Sequence, residues 1–144
     1  LLDEAAGVTG NLKANFGGSV AEISKAVFQA KLLGLSLSQT EGISSSLLDF
    51  QSSIEDEMAA ELLLGRQLNL EKAREAALMG DTETLMKEIS KQAGSQKDFL
   101  ALNIIQRKSL AKAVGMEVNE LADMFDKQAK IKTQVLILIK IILT

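Results

Sequence analysis

Apolar residues recur every three or four positions over most of the chain, which is the spacing of one face of an α-helix. The clearest stripe comprises Leu47, Phe50, Ile54, Met58 and Leu62. Glycines interrupt the helical stretches, and residues that cap helix N-termini follow several of them. The pattern predicts an all-α chain of several short to medium helices, joined by Gly-punctuated turns and arranged as a helical bundle or array.

Capping residues and glycines set the predicted helix boundaries. Ser19 with Glu22, and Ser36 with Gln39, have the spacing of a capping box. Asn69, Asp81 and Ser95 are further N-caps, and a glycine ends each helix except the last. The predicted helices cover residues 19–33, 36–64, 69–79, 81–93, 95–114 and about 117–132. Gly42 and the serines that follow it weaken the second helix, so a break near Gly42 is also considered.

The pattern divides the chain into three parts. Residues 1–18 contain four glycines and are predicted to be a flexible or weakly helical lead-in. Residues 19–130 form the helical domain, and residues 131–144 are an apolar tail. Three interpretations of the tail stay open: a buried helix end or strand that pairs with missing chain, a membrane-active segment, or a non-native extension. Because the chain begins at Leu1 and not at Met, we interpret it as a fragment or processed piece of a longer protein.

Composition supports the helical prediction and excludes much chemistry. Hydrophobic residues make up 47% of the chain and aromatic residues only 3%, which suits packing of helices on one another. Proline, which disrupts helix interiors, does not occur. Histidine and cysteine are also missing from the sequence, so Ser-His-Asp triads, thiolate metal sites and histidine metal sites are impossible. We predict no catalytic residue, no cofactor-binding residue, no metal ligand and no enzymatic activity.

Two further observations concern the packing of one helix and an internal sequence similarity. Phe99, Leu102, Leu110 and Val114 should be buried on one helix, facing Leu85 or Ile89 of the preceding helix. In addition, KLLGLSLSQ (31–39) resembles KAVGMEVNE (112–120), with lysine and glycine at matching positions. The similarity indicates either modular construction or two independent helix corners with the same local chemistry.

Charged residues form candidate sites that have simpler explanations. Two acidic groups could bind a divalent cation, although their spacing is not that of an EF-hand loop and a solvated helix face explains them. They are Glu55, Asp56 and Glu57, and Glu117, Glu120, Asp123 and Asp126. A basic set could bind phosphate, but no aromatic residue is interleaved to stack on bases. It comprises Arg66, Lys72, Arg74, Arg107 and Lys108.

The segment 108–125, KSLAKAVGMEVNELADMF, resembles the helix-turn-helix of phage-type repressors. In that motif the second helix enters the major groove of DNA. Here the second helix would begin with Glu117, Asn119 and Glu120, and acidic side chains oppose approach to phosphate. The net charge of −3 also opposes binding to DNA phosphates. A helix-turn-helix DNA-binding module is the alternative function, and an ordinary helical corner is the alternative structure.

A longer resemblance covers about residues 30–128. The stretch NLEKAREAALMGDTETLMKEI (69–89), followed by LAKAVGM (110–116) and ELA (120–122), resembles a segment of bacteriophage tail tape measure proteins. The likeness is to long-tailed phages with contractile tails, marine and cyanobacterial ones included. It rests on segment order and the placement of small residues, and the tail from Ile131 onward departs from it.

The resemblance implies a mostly helical virion structural protein that sets tail length and helps tail assembly and DNA ejection. It implies association with other copies of itself in the tail lumen, with tail tube and baseplate hub proteins, and with tail assembly chaperones. Transient contact with the cell envelope and no specific nucleic acid are also expected. The implied location is the phage tail in the virion, and the host cytoplasm during assembly.

Overall fold

The computed structural model describes residues 20–144, apart from the side chain of Glu22. All regular structure in this range is α-helical, which confirms the predicted all-α class. The eight helices are α1 (Val20–Leu32), α2 (Leu37–Leu48), α3 (Phe50–Leu64), α4 (Glu71–Met79), α5 (Thr82–Ala93), α6 (Gln96–Ala101), α7 (Ile104–Ala113) and α8 (Val118–Leu143). The predicted lead-in at 1–18 and the Ser19–Glu22 capping box lie outside the described residues.

Three of the predicted N-caps form as expected. The Ser36 hydroxyl accepts from the Gln39 backbone N–H, and the Gln39 side chain accepts from the Ser36 N–H, so both halves of the capping box are present. Asp81 accepts from the Thr84 N–H at 3.2 Å. Ser95 accepts from the Asp98 N–H at 3.1 Å. Each bond satisfies a backbone donor that has no partner inside the helix.

The prediction of one helix over 36–64 is wrong, and so is the position considered for a break. Gly42 lies inside α2, and the helix ends at Leu48. Asp49 separates the two helices with φ −80° and ψ 79°, which are not helical angles. Its carboxylate caps α3 by accepting from the Ser52 N–H at 3.5 Å. An acidic side chain that starts a new helix therefore decides the break, in place of the flexible glycine.

The predicted helix over 95–114 is also two helices. Asn103 separates α6 from α7 and forms a capping box with Gln106. The Arg107 guanidinium donates to the carbonyl oxygens of Leu100 and Leu102 at 2.9 Å and 3.0 Å. These donors satisfy the carbonyls that the end of α6 leaves without helical partners.

Two further boundaries differ from the prediction. Helix α4 begins at Glu71, with Leu70 at the N-cap position, so Asn69 lies one residue too early. The Asn69 side chain still accepts from the Glu71 N–H at 3.1 Å. The last helix does not stop near Lys132 and continues to Leu143. Residues 131–143 are helical and exposed, so the interpretation of the tail as a strand is wrong, while burial of a helix end against missing chain stays a prediction.

The core is one cluster of small and aliphatic side chains drawn from every helix. The most extensive helix contacts are α3 with α7, α4 with α5, and α2 with α4. Phe99, Leu110 and Val114 are buried as predicted, whereas Leu102 is half-buried. Their neighbours differ from the prediction. The Phe99 ring lies 5.3 Å from the Phe125 ring of α8, and α7 packs chiefly against α3, while Leu85 and Ile89 belong to the α4–α5 pair.

The two similar sequence stretches form two helix corners with the same geometry. We call residues 31–39 the first corner and residues 112–120 the second corner. Each has a glycine with positive φ, 79° at Gly34 and 80° at Gly115. The next residue's N–H donates back into the preceding helix, from Leu35 to the Ala30 carbonyl at 2.7 Å and from Met116 to the Ala111 carbonyl at 2.9 Å.

Each corner packs on the helix that follows the other. A Cβ at Gly34 would collide with the backbone carbonyl of Met124 in α8. A Cβ at Gly115 would lie 3.2 Å from the Cα and the carbonyl oxygen of Ile43 in α2. Ile43 and Met124 each lie nine residues after the glycine of their own corner. The corners and their following helices are thus related by an approximate internal two-fold, with an offset of 81 residues.

Three glycine substitutions should separate backbone conformation from close packing. Gly42→Ala should raise stability by about 0.5–1 kcal/mol, because Gly42 is helical with open space around it. Gly65→Ala should lower it by about 1–2 kcal/mol, since Gly65 has φ 68° but no close neighbour. Gly34→Ala should cost more than Gly65→Ala, because it adds a backbone collision of about 1–3 kcal/mol to the same conformational cost.

Urea unfolding of the three variants measures this order directly. Equal losses at Gly34 and Gly65 would show that the corner does not pack closely on Met124.

Candidate functional site

The helix-turn-helix candidate at 108–125 is a helix corner whose second helix faces the core. Leu121, Met124 and Phe125 of α8 are buried inside the domain. The Glu120 carboxylate accepts from the Glu117 N–H at 2.9 Å and so places negative charge at the start of α8. The outward positions nearby include Asn119 and Asp123, both exposed. This surface repels phosphate where a recognition helix would have to approach it.

The arginines of the candidate phosphate patch are used inside the molecule. The Arg74 guanidinium lies 3.2 Å from the Glu57 carboxylate and donates to the Ser53 hydroxyl at 3.1 Å. Both charged side chains are largely buried, at 11% and 14% exposure. Arg66 donates to the carbonyls of Gln92 and Ala93 at the end of α5.

Arg107 is also used in contacts inside the molecule. Besides binding the end of α6, its guanidinium lies 5.2 Å above the centre of the Phe99 ring, within cation–π range. Of the predicted basic set, Lys72 and Lys108 are exposed and make none of the contacts described above. Two lysines on separate helices do not make a phosphate site, so the set does not come together as a patch.

The first acidic group links the loop before α4 to α3. The Glu57 carboxylate accepts from the Leu70 N–H at 2.8 Å, and one turn later Glu61 accepts from the Leu68 N–H at 3.1 Å. Leu70 is the N-cap position of α4 and has no side-chain cap of its own. Glu57, on the preceding helix, therefore satisfies the N–H of the N-cap residue of α4 and pairs with Arg74 at the same time.

The structure supports no metal site at either acidic group. Within residues 20–144, no group of three or more acidic side chains is arranged to hold a metal ion. Asp56 pairs with the Lys112 ammonium at 3.6 Å, and Asp126 accepts from the Gln96 side chain at 2.7 Å. The acidic residues are partners of neighbouring helices or parts of an exposed face.

An open polar groove of about 680 Å³ lies between the second corner and α2. Its lining includes Ser45, Ser46, Asp49, Asp56, Lys112 and Glu117. Serine becomes a nucleophile when a neighbouring base accepts its proton, and histidine usually has that role. The sequence has no histidine, and no base is placed against these hydroxyls by the contacts above. The groove offers hydrogen bonds and no evident catalytic arrangement.

The most unusual surface is the end of α8. Its apolar residues from Val135 to Leu143 are between 45% and 80% exposed, on all sides of the helix. A helix that is apolar all round is normally buried in protein or lipid. No helix within residues 20–144 has both the length and the apolar character needed to cross a membrane. This terminal segment, residues 131–143, is the strongest candidate for a functional surface.

Comparison of the chain with protein-family models, curated proteins and solved structures finds no match. The functional argument therefore depends on the residues and their geometry. Sequence reasoning missed the contacts of Glu57 and Arg74, because partners 13 and 21 residues away carry no local signal. It identified the unusual tail but left open whether the tail is a helix or a strand, although the helical spacing of Leu121, Met124 and Gln128 continues into it.

The linking role of Glu57 can be tested against its neighbour in sequence. Glu57→Ala should lower the free energy of unfolding by about 2 kcal/mol, because it leaves the Leu70 N–H and the Arg74 charge without their partner. Glu55→Ala, at an exposed position, should change it by less than about 0.5 kcal/mol. Chemical denaturation measures both, and equal effects would contradict the assignment.

Proposed function

We propose that this chain is a segment of a phage tail tape measure protein, a virion structural protein without enzymatic activity. The observation that carries the proposal is α8, which has 26 residues, of which only Leu121, Met124 and Phe125 are buried. At 1.5 Å per residue this helix is about 39 Å long. Its second part, residues 131–143, extends from the small helical domain as a rod of about 20 Å, and a rod of helix is a suitable physical gauge of length.

The chemistry of the domain supports the same proposal. Its charged side chains cap helices, pair across helices or face solvent, and the polar groove has no activated nucleophile. Such a molecule acts through its length and its contacts with other proteins. The proposed partners are further copies of the chain, tail tube and baseplate hub proteins, and tail assembly chaperones. The proposed location is the virion tail, with assembly in the host cytoplasm and transient contact with the cell envelope at infection.

Tail length is the decisive measurement for this function. In-frame removal of helical residues from the gene that encodes the chain should shorten the tail by about 1.5 Å for each deleted residue that lies along the tube axis. If residues 20–130 form a compact side domain, their removal should shorten the tail by less than removal of rod residues. Electron micrographs of the virions give the lengths, and unchanged length after every deletion would contradict the proposal.

DNA affinity tests the alternative of a helix-turn-helix module. Because the start of α8 is acidic and its next turns pack Leu121, Met124 and Phe125 into the core, duplex DNA should bind no tighter than about 10⁻⁴ M at physiological salt, which is the weak end of non-specific binding. A sequence-specific repressor would reach about 10⁻⁸ M or tighter. Selection from a random duplex library, followed by titration, makes the comparison. An enriched sequence bound at that affinity would favour the alternative.

A further inference from the structure

We propose that the terminal segment (residues 131–143) of one copy packs on α1 of a second copy, in the way that α3 packs on α7 within each chain. The proposal follows from the internal two-fold and from two apolar surfaces that this symmetry leaves uncovered. It does not depend on the tape measure function.

The internal two-fold shows which surface corresponds to which. With the offset of 81 residues, residues 23–32 of α1 correspond to α7, and α2 corresponds to the first half of α8. By the same offset, α3 corresponds to residues 131–144. Within the chain, α3 lies along α7 in the most extensive helix contact of the molecule. The corresponding contact would join the terminal segment to α1.

Both halves of that missing contact are exposed and apolar. On α1, Phe28 is 50% exposed and Leu32 is 42% exposed. The terminal segment presents Val135 to Leu143 to solvent. Two uncovered apolar surfaces, Phe28 with Leu32 on the outer side of α1 and the terminal segment, lie where the symmetry predicts one contact, and they are the expected surfaces of an exchange between copies.

The local sequence explains why the contact does not form within one chain. After the first corner, Asp49 ends α2 and caps α3, so α3 can turn away from the line of α2. Lys130 occupies the corresponding position after the second corner. The lysine side chain has only hydrogen-bond donors, so it cannot accept from the N–H groups at a helix N-terminus. The helix continues through Lys130, and Thr133 donates back to the Ala129 carbonyl within it. The terminal segment is thereby directed outward, where a second copy can receive it.

The existing contact also gives the register of the proposed one. On α3 and α7, Lys112 pairs with Asp56, and the Gln106 side chain donates to the Leu63 carbonyl at 3.0 Å, so the two helices run antiparallel. Applying the offset to these pairs places Lys31 beside Ile137 and Lys25 beside Thr144. In this antiparallel register Leu32 lies beside Leu136 and Ile137. Phe28 then lies beside Lys140 and Ile141.

Cysteine cross-linking of the full chain tests this register, since the sequence contains no cysteine. Isotope-labelled Leu32→Cys chains are mixed with unlabelled Ile137→Cys chains under mild oxidation. Cysteines bridge when their Cα atoms lie within about 7 Å. We expect the mixed-mass disulfide dimer to form a larger fraction of all disulfide dimers than random pairing of the two thiols would give. Leu143→Cys in place of Ile137→Cys is the control, because it moves the thiol about 9 Å along the helix, and its yield should fall several-fold.

Other products would overturn the proposal. An excess of Ile137→Cys homodimers would mean that the terminal segments pair with one another. An intrachain disulfide in the Leu32→Cys/Ile137→Cys double variant at high dilution would mean that the segment folds back on its own α1. No excess of the mixed dimer over the Leu143→Cys control would also reject the register. Co-sedimentation with phosphatidylcholine–phosphatidylglycerol vesicles, without the mixed dimer, would assign the segment to lipid.

Sedimentation of a second set of variants checks association without new thiols. Phe28→Asp/Leu32→Asp should abolish concentration-dependent dimers or larger species, while Leu78→Asp/Met79→Asp, at exposed apolar positions on α4, should leave them intact. Circular dichroism confirms that both variants stay helical. Persistence of the oligomers in the α1 variant would reject the contact. Because tail length is not measured, failure here is distinct from failure of the proposed function.

Discussion

The domain depends on two close backbone approaches, each made possible by a glycine without a side chain. Gly34 meets the Met124 carbonyl, and Gly115 meets the backbone of Ile43. Each glycine also has the positive φ that lets its helix end in a tight corner. The same residue therefore turns the chain and allows the helix that follows the other corner to approach closely. Because each corner holds the other half's helix, the two halves fix each other, although residues 31–39 and 112–120 are far apart in sequence. Gln128 adds to this contact by donating to the Leu33 carbonyl at 2.8 Å and to the Ser90 hydroxyl at 3.0 Å.

Charged side chains connect the short helices at their ends. Glu57 accepts from the Leu70 N–H at the start of α4, and Arg66 and Arg107 satisfy carbonyls at the ends of α5 and α6. Short helices have many unsatisfied backbone groups for their length, so such contacts matter more here than in a bundle of long helices. The predicted phosphate patch and the first predicted acidic cluster are, in large part, these connections. A charge that completes a neighbouring helix is not available for a ligand, which is consistent with the tape measure proposal of a structural role.

Local sequence signals predicted the features that depend on neighbouring residues. Ser36, Asp81 and Ser95 cap their helices as expected, because a capping side chain acts on a backbone N–H three residues ahead. The breaks at Asp49 and Asn103 were missed. The apolar stripe from Leu47 to Leu62 keeps its helical spacing across Asp49, and no glycine marks either break. The Asn103–Gln106 capping-box spacing was nevertheless present in the sequence. The register between helices could not be predicted, because it depends on contacts such as Gly34 with Met124 that join distant parts of the chain. The absence of a catalytic site was expected from composition and stays a prediction.

The helices that follow the two corners differ in where they break. Asp49 and Lys130 occupy equivalent places after α2 and within α8. A carboxylate can accept from the first N–H groups of a new helix, so the chain can break there and α3 can cover α7. An ammonium group cannot accept these bonds, and at Lys130 the helix continues, with its later apolar residues exposed. An exposed apolar helix costs free energy in water, roughly in proportion to the uncovered area. Helix α3, after the first corner, packs on α7 of the same chain. The terminal segment, after the second corner, is left exposed, so a surface outside the chain would have to cover it. In the proposed exchange, α1 of another copy supplies that surface.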